Sequence, residues 1–152
     1  MKLDDLKTRL AGGELDTEIR RIYAADSVEI ASTRERLAAL IERFAADFGE
    51  ADAGLFSAPG RTEMGGNHTD HQRGHVLAGS VNLDMVACAA PNGSTTIRII
   101  SDGYPALELD TAALEPDPAE VGTSAALVRG VCRAVTDRGY AVGGFNACIT
   151  SQ

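Results

Sequence analysis

Ser57-Ala58-Pro59-Gly60-Arg61-Thr62-Glu63-Met64-Gly65-Gly66-Asn67-His68-Thr69-Asp70-His71 is the stretch on which the reading of this chain turns. It comes after a short apolar run at 53–57 that reads as a strand. It precedes a second run at 75–90, with Val76, Leu77, Val81, Leu83, Val86 and Cys88, that reads as another strand. Between Pro59 and Gly74 there is no apolar periodicity of either helical or strand type. The expectation is a loop of about fifteen residues, and a loop that long in a compact domain is usually functional or disordered; its place between two core strands favours function. Over 61–71 it gathers a guanidinium, an amide, two imidazoles, two hydroxyls and two carboxylates, and its glycines let the backbone approach a ligand closely. Such a mixture suits a ligand rich in hydroxyls, because each hydroxyl both donates and accepts, and a carboxylate such as Asp70 can accept from two of them. A misplaced hydroxyl would leave buried polar groups unpaired, so such a site discriminates between isomers.

Upstream, residues 3–11 predict a short helix stopped by Gly12-Gly13, and 14–23 a second helix with Leu15, Ile19 and Ile22 on one face. The strongest helical pattern covers 33–48. Ser32 and Glu35 make a capping-box spacing, and Leu37, Leu40, Ile41, Phe44 and Phe48 form the apolar stripe. Arg34, Arg36, Glu42 and Arg43 lie mostly off that stripe and read as a solvated face. Downstream, Pro91-Asn92-Gly93-Ser94 predicts a tight hairpin, with 95–100 as the returning strand. Leu107 and Leu109 alternate with Glu108 and Asp110 as a half-buried strand, and 111–121 is acidic and proline-containing, a surface loop. Residues 123–138 predict a helix with Leu127, Val128, Val131 and Val135 on a shared face, and 143–150 a final strand. That strand is expected at an open sheet edge. Helices, then strands, then a helix and a strand read as one α+β domain over 1–152, its mixed, partly antiparallel sheet packed with helices.

The chain has 152 residues, 44% of them hydrophobic, enough to bury a core. With 22 acidic against 14 basic residues the net charge is −8, which disfavours nucleic acid and anionic membranes as partners. Cys88, Cys132 and Cys148 match no metal spacing and, being odd in number, no disulfide framework; they read as buried free thiols. No apolar run approaches the roughly 18 residues of a membrane span, and Met1–Leu10 lacks a signal-peptide core. The expected location is the cytoplasm.

Ser57-Ala58-Pro59-Gly60-Arg61, then Gly66-Asn67-His68-Thr69-Asp70-His71 and Gly74-His75-Val76-Leu77, together resemble the galactokinase signature of the GHMP kinase family. The spacing from Arg61 to His68-Thr69-Asp70 matches the family pattern without a gap. The resemblance implies the N-terminal, sugar-binding domain of a GHMP-type kinase. It implies galactose as substrate, ATP as phosphoryl donor with Mg2+, and galactose 1-phosphate as product. Arg61 would stabilise charge during phosphoryl transfer. Asn67, His68, Thr69 and Asp70 would grip the sugar. Departures from the pattern are Asn67 where many members carry Glu, His71 where many carry Tyr, and Glu63 in place of Asn. Leu127 falls where a tyrosine often lines the adenine pocket. The family's Gly/Ser-rich phosphate loop and the aspartate after it match nothing in 1–152, so the chain alone is expected to have negligible kinase activity.

Two other readings use the same residues. A galactokinase-like chain can bind sugar as a regulator without turnover. His68, His71 and His75 with Asp70 could instead hold Zn2+ or Ni2+. The kinase-type motif accounts for two of those four residues, and the loop lacks the helical spacing that would bring the imidazoles together, so no metal site is assigned.

Overall fold

The computed structural model describes residues 1–23, 26–66 and 73–151. Among them the order is α1 (Leu3–Ala11), α2 (Asp16–Tyr23), α3 (Ser27–Phe48), β1 (Gly54–Gly65), β2 (Leu77–Pro91), β3 (Thr96–Ser101), β4 (Leu107–Asp110), α4 (Ser124–Thr136) and β5 (Phe145–Ser151). The strands form one sheet in the order β1-β2-β5-β3-β4. Every neighbouring pair is antiparallel except β3 and β5, which run parallel. The α+β class and the mixed sheet are as the sequence predicts.

Helix α3 starts more than a turn earlier than Ser32. The capping box is Asp26 with Glu29: the Glu29 amide donates to Asp26 Oδ1 at 3.0 Å, and the Asp26 amide donates to Glu29 Oε2 at 2.8 Å. Ser32 lies inside the helix and donates to the Glu29 carbonyl at 3.1 Å. The apolar stripe is as expected, with Leu37, Leu40, Ile41 and Phe44 all buried. Each such side chain contributes about 1.5–3 kcal/mol by leaving water. They pack with Leu3, Leu6 and Leu10 of α1 against Val86 and Cys88 of β2 and Cys148 of β5.

A second, smaller core lies on the other face, at the other end of the sheet. There Cys132 and Val128 of α4 meet Ile97 of β3 and Leu109 of β4. The inward stripe of α4 is therefore Val128–Cys132, while Leu127 and Val131, expected to point inward, are 70% and 57% exposed. The two stripes are one position apart, and Cys132 packs there as a small hydrophobe.

Two expectations about strand order are overturned. Asn92-Gly93 turns the chain, with Gly93 at φ 70°, but it does not pair β2 with β3. Strand β5 enters between them. The polar groups opened by this separation are met from β5's approach: the Gly144 amide donates to the Ser94 carbonyl at 2.7 Å, and Asn92 Nδ2 donates to Asn146 Oδ1 at 2.9 Å. Gly144 permits that approach, since a Cβ there would stand 2.5 Å from the Thr96 carbonyl oxygen. The final strand is consequently central, flanked by β2 and β3, and the sheet edges are β1 and β4. The open-edge expectation for β5 does not hold.

The three cysteines are buried and free. Cys88 and Cys148 face each other in register across β2 and β5. Burial pushes Cys88 up to about 11 and Cys148 up to about 12, which keeps both thiols protonated and inert at neutral pH. Among the described residues no helix is long and apolar enough to cross a membrane.

Candidate sugar-binding site

The strand that carries the decisive stretch is longer than 53–57. β1 continues through Pro59, Gly60 and Arg61 to Gly65, pairing with β2 on either side of register shifts at Gly60 and Met64. The segment expected to be loop from Pro59 onward is thus a strand as far as Gly65. Its polar residues hide the strand pattern, because beyond Gly60 no residue is fully buried and the one partly buried side chain is the carboxylate of Glu63.

Arg61 stands opposite Ser80 on β2. Its guanidinium is 67% exposed and donates to Glu63 Oε1 at 3.2 Å. The pairing comes from strand geometry, since residues two apart project to the same side. Both lie close to the strand end, where Gly66 begins the connection to β2. Gly66 has φ 92°, and a Cβ on it would fall 2.3 Å from the His75 carbonyl oxygen. Glycine is required there on both counts. Asn67, His68, Thr69, Asp70 and His71 lie outside the described residues, as does any relation between Arg61 and Asp70. The metal reading, which needs those histidines, lies there too.

Behind this hairpin sits a polar cluster that the sequence reading missed. Asp84 of β2 has a side chain only 1% exposed and is salt-bridged to Arg36 of α3, with Arg36 Nη1 donating to Oδ1 at 2.7 Å. Ser57 of β1 donates to Oδ2 at 2.6 Å, and the Tyr23 hydroxyl of α2 donates to the same oxygen. Arg36 also reaches the Tyr23 hydroxyl at 3.3 Å and lies 5.7 Å from its ring centroid. Burial alone would raise Asp84, but the bonds from Ser57, Tyr23 and Arg36, with the Arg36 charge, bring it below the usual carboxylate value. Tyr23 is raised, by burial first and then by its bond to Asp84. A cleft of about 530 Å³ opens beside the cluster, bordered by Tyr23, Ser57, Pro59, Ser80 and Asn82.

Arg36 therefore does not belong to a solvated face. Arg34 and Arg43 are likewise paired, with Asp16 of α2 and with Asp102 after β3. The signal available in the sequence was Asp84 itself. It shares strand parity with Val86 and Cys88, so it points inward, and a carboxylate in an inward position must find donors.

Comparison with known proteins places this geometry. Residues 42–91, which run from the end of α3 through the whole β1–β2 hairpin, match the galactokinase galactose-binding signature. A galactokinase of Enterococcus faecalis is 34% identical over 76 residues, covering 50% of this chain and 20% of that relative. The crystal structure of Lactococcus lactis galactokinase complexed with galactose superposes with a TM-score of 0.67 at 28% identity, covering 76% of this chain and 30% of the other. The fold and the hairpin define an α+β domain similar to part of that galactokinase structure. More particularly, the chain carries the galactose-binding signature of the galactokinases and resembles their N-terminal portion. It spans about a fifth to a third of the length of these relatives.

Proposed function

We propose that the chain is the sugar-binding part of a galactokinase, and that the whole protein transfers the γ-phosphoryl group of ATP to the anomeric hydroxyl of galactose. The observation that carries this reading is the match of the galactose-binding signature to residues 42–91, the segment folded as the β1–β2 hairpin. In this reading Asn67, His68, Thr69 and Asp70 hold the sugar hydroxyls, with Asp70 accepting from neighbouring ring hydroxyls. Arg61 offers an exposed guanidinium on the adjoining strand, able to turn from Glu63 towards charge developing on the transferring group. The anomeric oxygen forms the new bond to phosphorus while the bond from the γ-phosphorus to the leaving ADP breaks, and the hydroxyl proton would pass to the aspartate that the family resemblance implies and that 1–152 does not match.

ATP with Mg2+ supplies the phosphoryl group and its charge neutralisation. Among the described residues no group of three His, Cys, Asp or Glu side chains is placed to hold a metal ion; Mg2+ that travels with ATP takes most of its ligands from phosphate oxygens and water. The free thiols and the use of ATP fit a cytoplasmic setting.

The test is calorimetric titration of the 152-residue chain with galactose and with glucose, alongside Asp70→Ala. Saturable binding of galactose that is weaker for glucose and lost in Asp70→Ala is the expected result. Absence of galactose binding, or equal binding of both sugars, would overturn the reading. Incubation of the same chain with galactose and Mg-ATP is expected to yield negligible galactose 1-phosphate.

A further inference from the structure

The β1–β2 hairpin changes character at Gly60. On the near side, Gly54–Pro59 pairs residue for residue with 84–89, and Leu55, Val86 and Cys88 sit in the core under the helices. On the far side, Arg61, Thr62 and Glu63 pair with Ser80, Gly79 and Ala78. Between the pairs Pro59–Asp84 and Arg61–Ser80, the single residue Gly60 stands against Val81, Asn82 and Leu83 of β2. Such a bulge bends the strands and re-aims the residues beyond it. Past this point Arg61, Thr62, Met64, Leu77 and Ala78 are exposed. Packing of the far arm's own side chains therefore does little to set its direction. The hairpin is anchored at the bend by Asp84, the last β2 residue in register before the bulge.

We propose that Asp84 is the positioning residue for this arm. Its buried carboxylate takes one donor from each of three elements, Ser57 on β1, Tyr23 on α2 and Arg36 on α3, and so sets the angle at which the strand leaves the bulge and carries Arg61. Cohesion alone does not call for a carboxylate here, since well-packed apolar residues often replace buried ion pairs without loss of stability. An apolar side chain cannot, however, fix three elements at once through directional bonds. Asp84 borders the cleft beside the cluster, but its side chain is 1% exposed and both carboxylate oxygens are taken by Arg36, Ser57 and Tyr23, which suits a positioning role better than a sugar ligand. The functional consequence rests on the sugar-binding reading above; the structural content does not.

The test measures backbone amide residual dipolar couplings on the 152-residue chain. In the unsubstituted protein, couplings from 61–65 and 77–80 should fit the alignment tensor of the sheet body, 84–91 and 145–151. In Asp84→Asn they should depart from it, and in Tyr23→Phe they should depart less, in the same sense. Leu10→Ala, which removes core packing in α1 away from the network, should leave the fit intact. Arm couplings that still fit in Asp84→Asn would overturn the proposal, as would an equal departure in Leu10→Ala. Tyr23→Phe and Ser57→Ala decide the matter if Asp84→Asn does not fold. Galactose titration of the same samples should show binding weakened about tenfold or more in Asp84→Asn, as expected when binding groups are misplaced. A parent chain that binds no galactose sinks the sugar reading, while the couplings still decide the positioning role.

Discussion

Gly54–Pro59 and Arg61–Gly65 are halves of one strand, paired to one partner, yet they are held by different forces. The first half has Leu55 packed against the helical core and Ser57 bonded to a buried carboxylate. The second has backbone pairing, an exposed guanidinium and Met64 at 74% exposure. In the proposed sugar-binding reading, the difference separates stability from binding along a single element. Substitutions beneath the near half should unfold the protein, and substitutions in the far half should leave it folded but change what it binds. Ligand-binding segments are drawn from the weakly held end of a structure, and the far half fits that rule.

The largest effect that would sharpen this contrast is Phe44→Ala. Phe44 is fully buried beneath the sheet and meets Phe48 at 5.2 Å between ring centroids. Its truncation should cost about 3–5 kcal/mol, read as a fall in denaturant midpoint at unchanged slope. A loss below about 1 kcal/mol would break the comparison, because the near half would then not depend on the helices. Next comes Asp84→Asn, expected to cost about 2–3 kcal/mol at neutral pH through weakened charged hydrogen bonds. This cost has a sign in pH. Asp84 is lowered in the folded state, so below the unfolded value of about 3.9 the unfolded chain binds the extra proton first. The carboxylate's contribution is complete above that value and disappears as the pH falls through the lower folded one. The gap in unfolding free energy between parent and Asp84→Asn should therefore narrow below about pH 4, measured by urea titration across pH. A gap that stays constant into strong acid would show the carboxylate's ionisation to be irrelevant.

The sequence made the near half legible and the far half only chemically so. The α3 stripe, the stop at Gly12-Gly13 and the alternation of β4 all express burial with a period, and each is where the spacing puts it. Burial with a period says nothing about long-range partners. Asn92-Gly93 signals a reversal that exists, but insertion of β5 between β2 and β3 depends on contacts some fifty residues away, such as Asn92 with Asn146. The far half of β1 has no buried face, so its strand character left no pattern, and Pro59 and Gly60 read as loop. The motif remained visible there as residue types, and residues 42–91 match the galactose-binding signature. Asp84 stood at the boundary: its inward parity was readable, while its donors on α2 and α3 were too distant in sequence to infer.

Gly66→Ala moves to the far half. At φ 92° with the His75 carbonyl oxygen 2.3 Å from the new Cβ, the substitution forces the ends of the hairpin connection apart. The strain is on the order of 1–3 kcal/mol locally. Because little is buried beyond the bulge, the global midpoint should shift less than that. Amide exchange at 61–65 and 76–80 should accelerate while 84–90 stays protected. A uniform loss of protection over both halves would mean that the arm and the body unfold as one unit, and the proposed separation would fail.

Arg61→Ala should have the smallest effect on folding and the sharpest on function. The side chain is two-thirds exposed and its bond to Glu63 joins neighbours on one strand face, an arrangement worth a few tenths of a kcal/mol at most. The midpoint of unfolding should change by less than about 0.5 kcal/mol. If Arg61 acts on the transferring phosphoryl group and not on the sugar, galactose affinity should also be nearly unchanged in the chain, and the deficit should appear only as a lower kcat in the whole kinase that the proposed function implies. Loss of galactose affinity would instead assign Arg61 to the sugar, and a large loss of stability would show that the far half is held by more than its backbone.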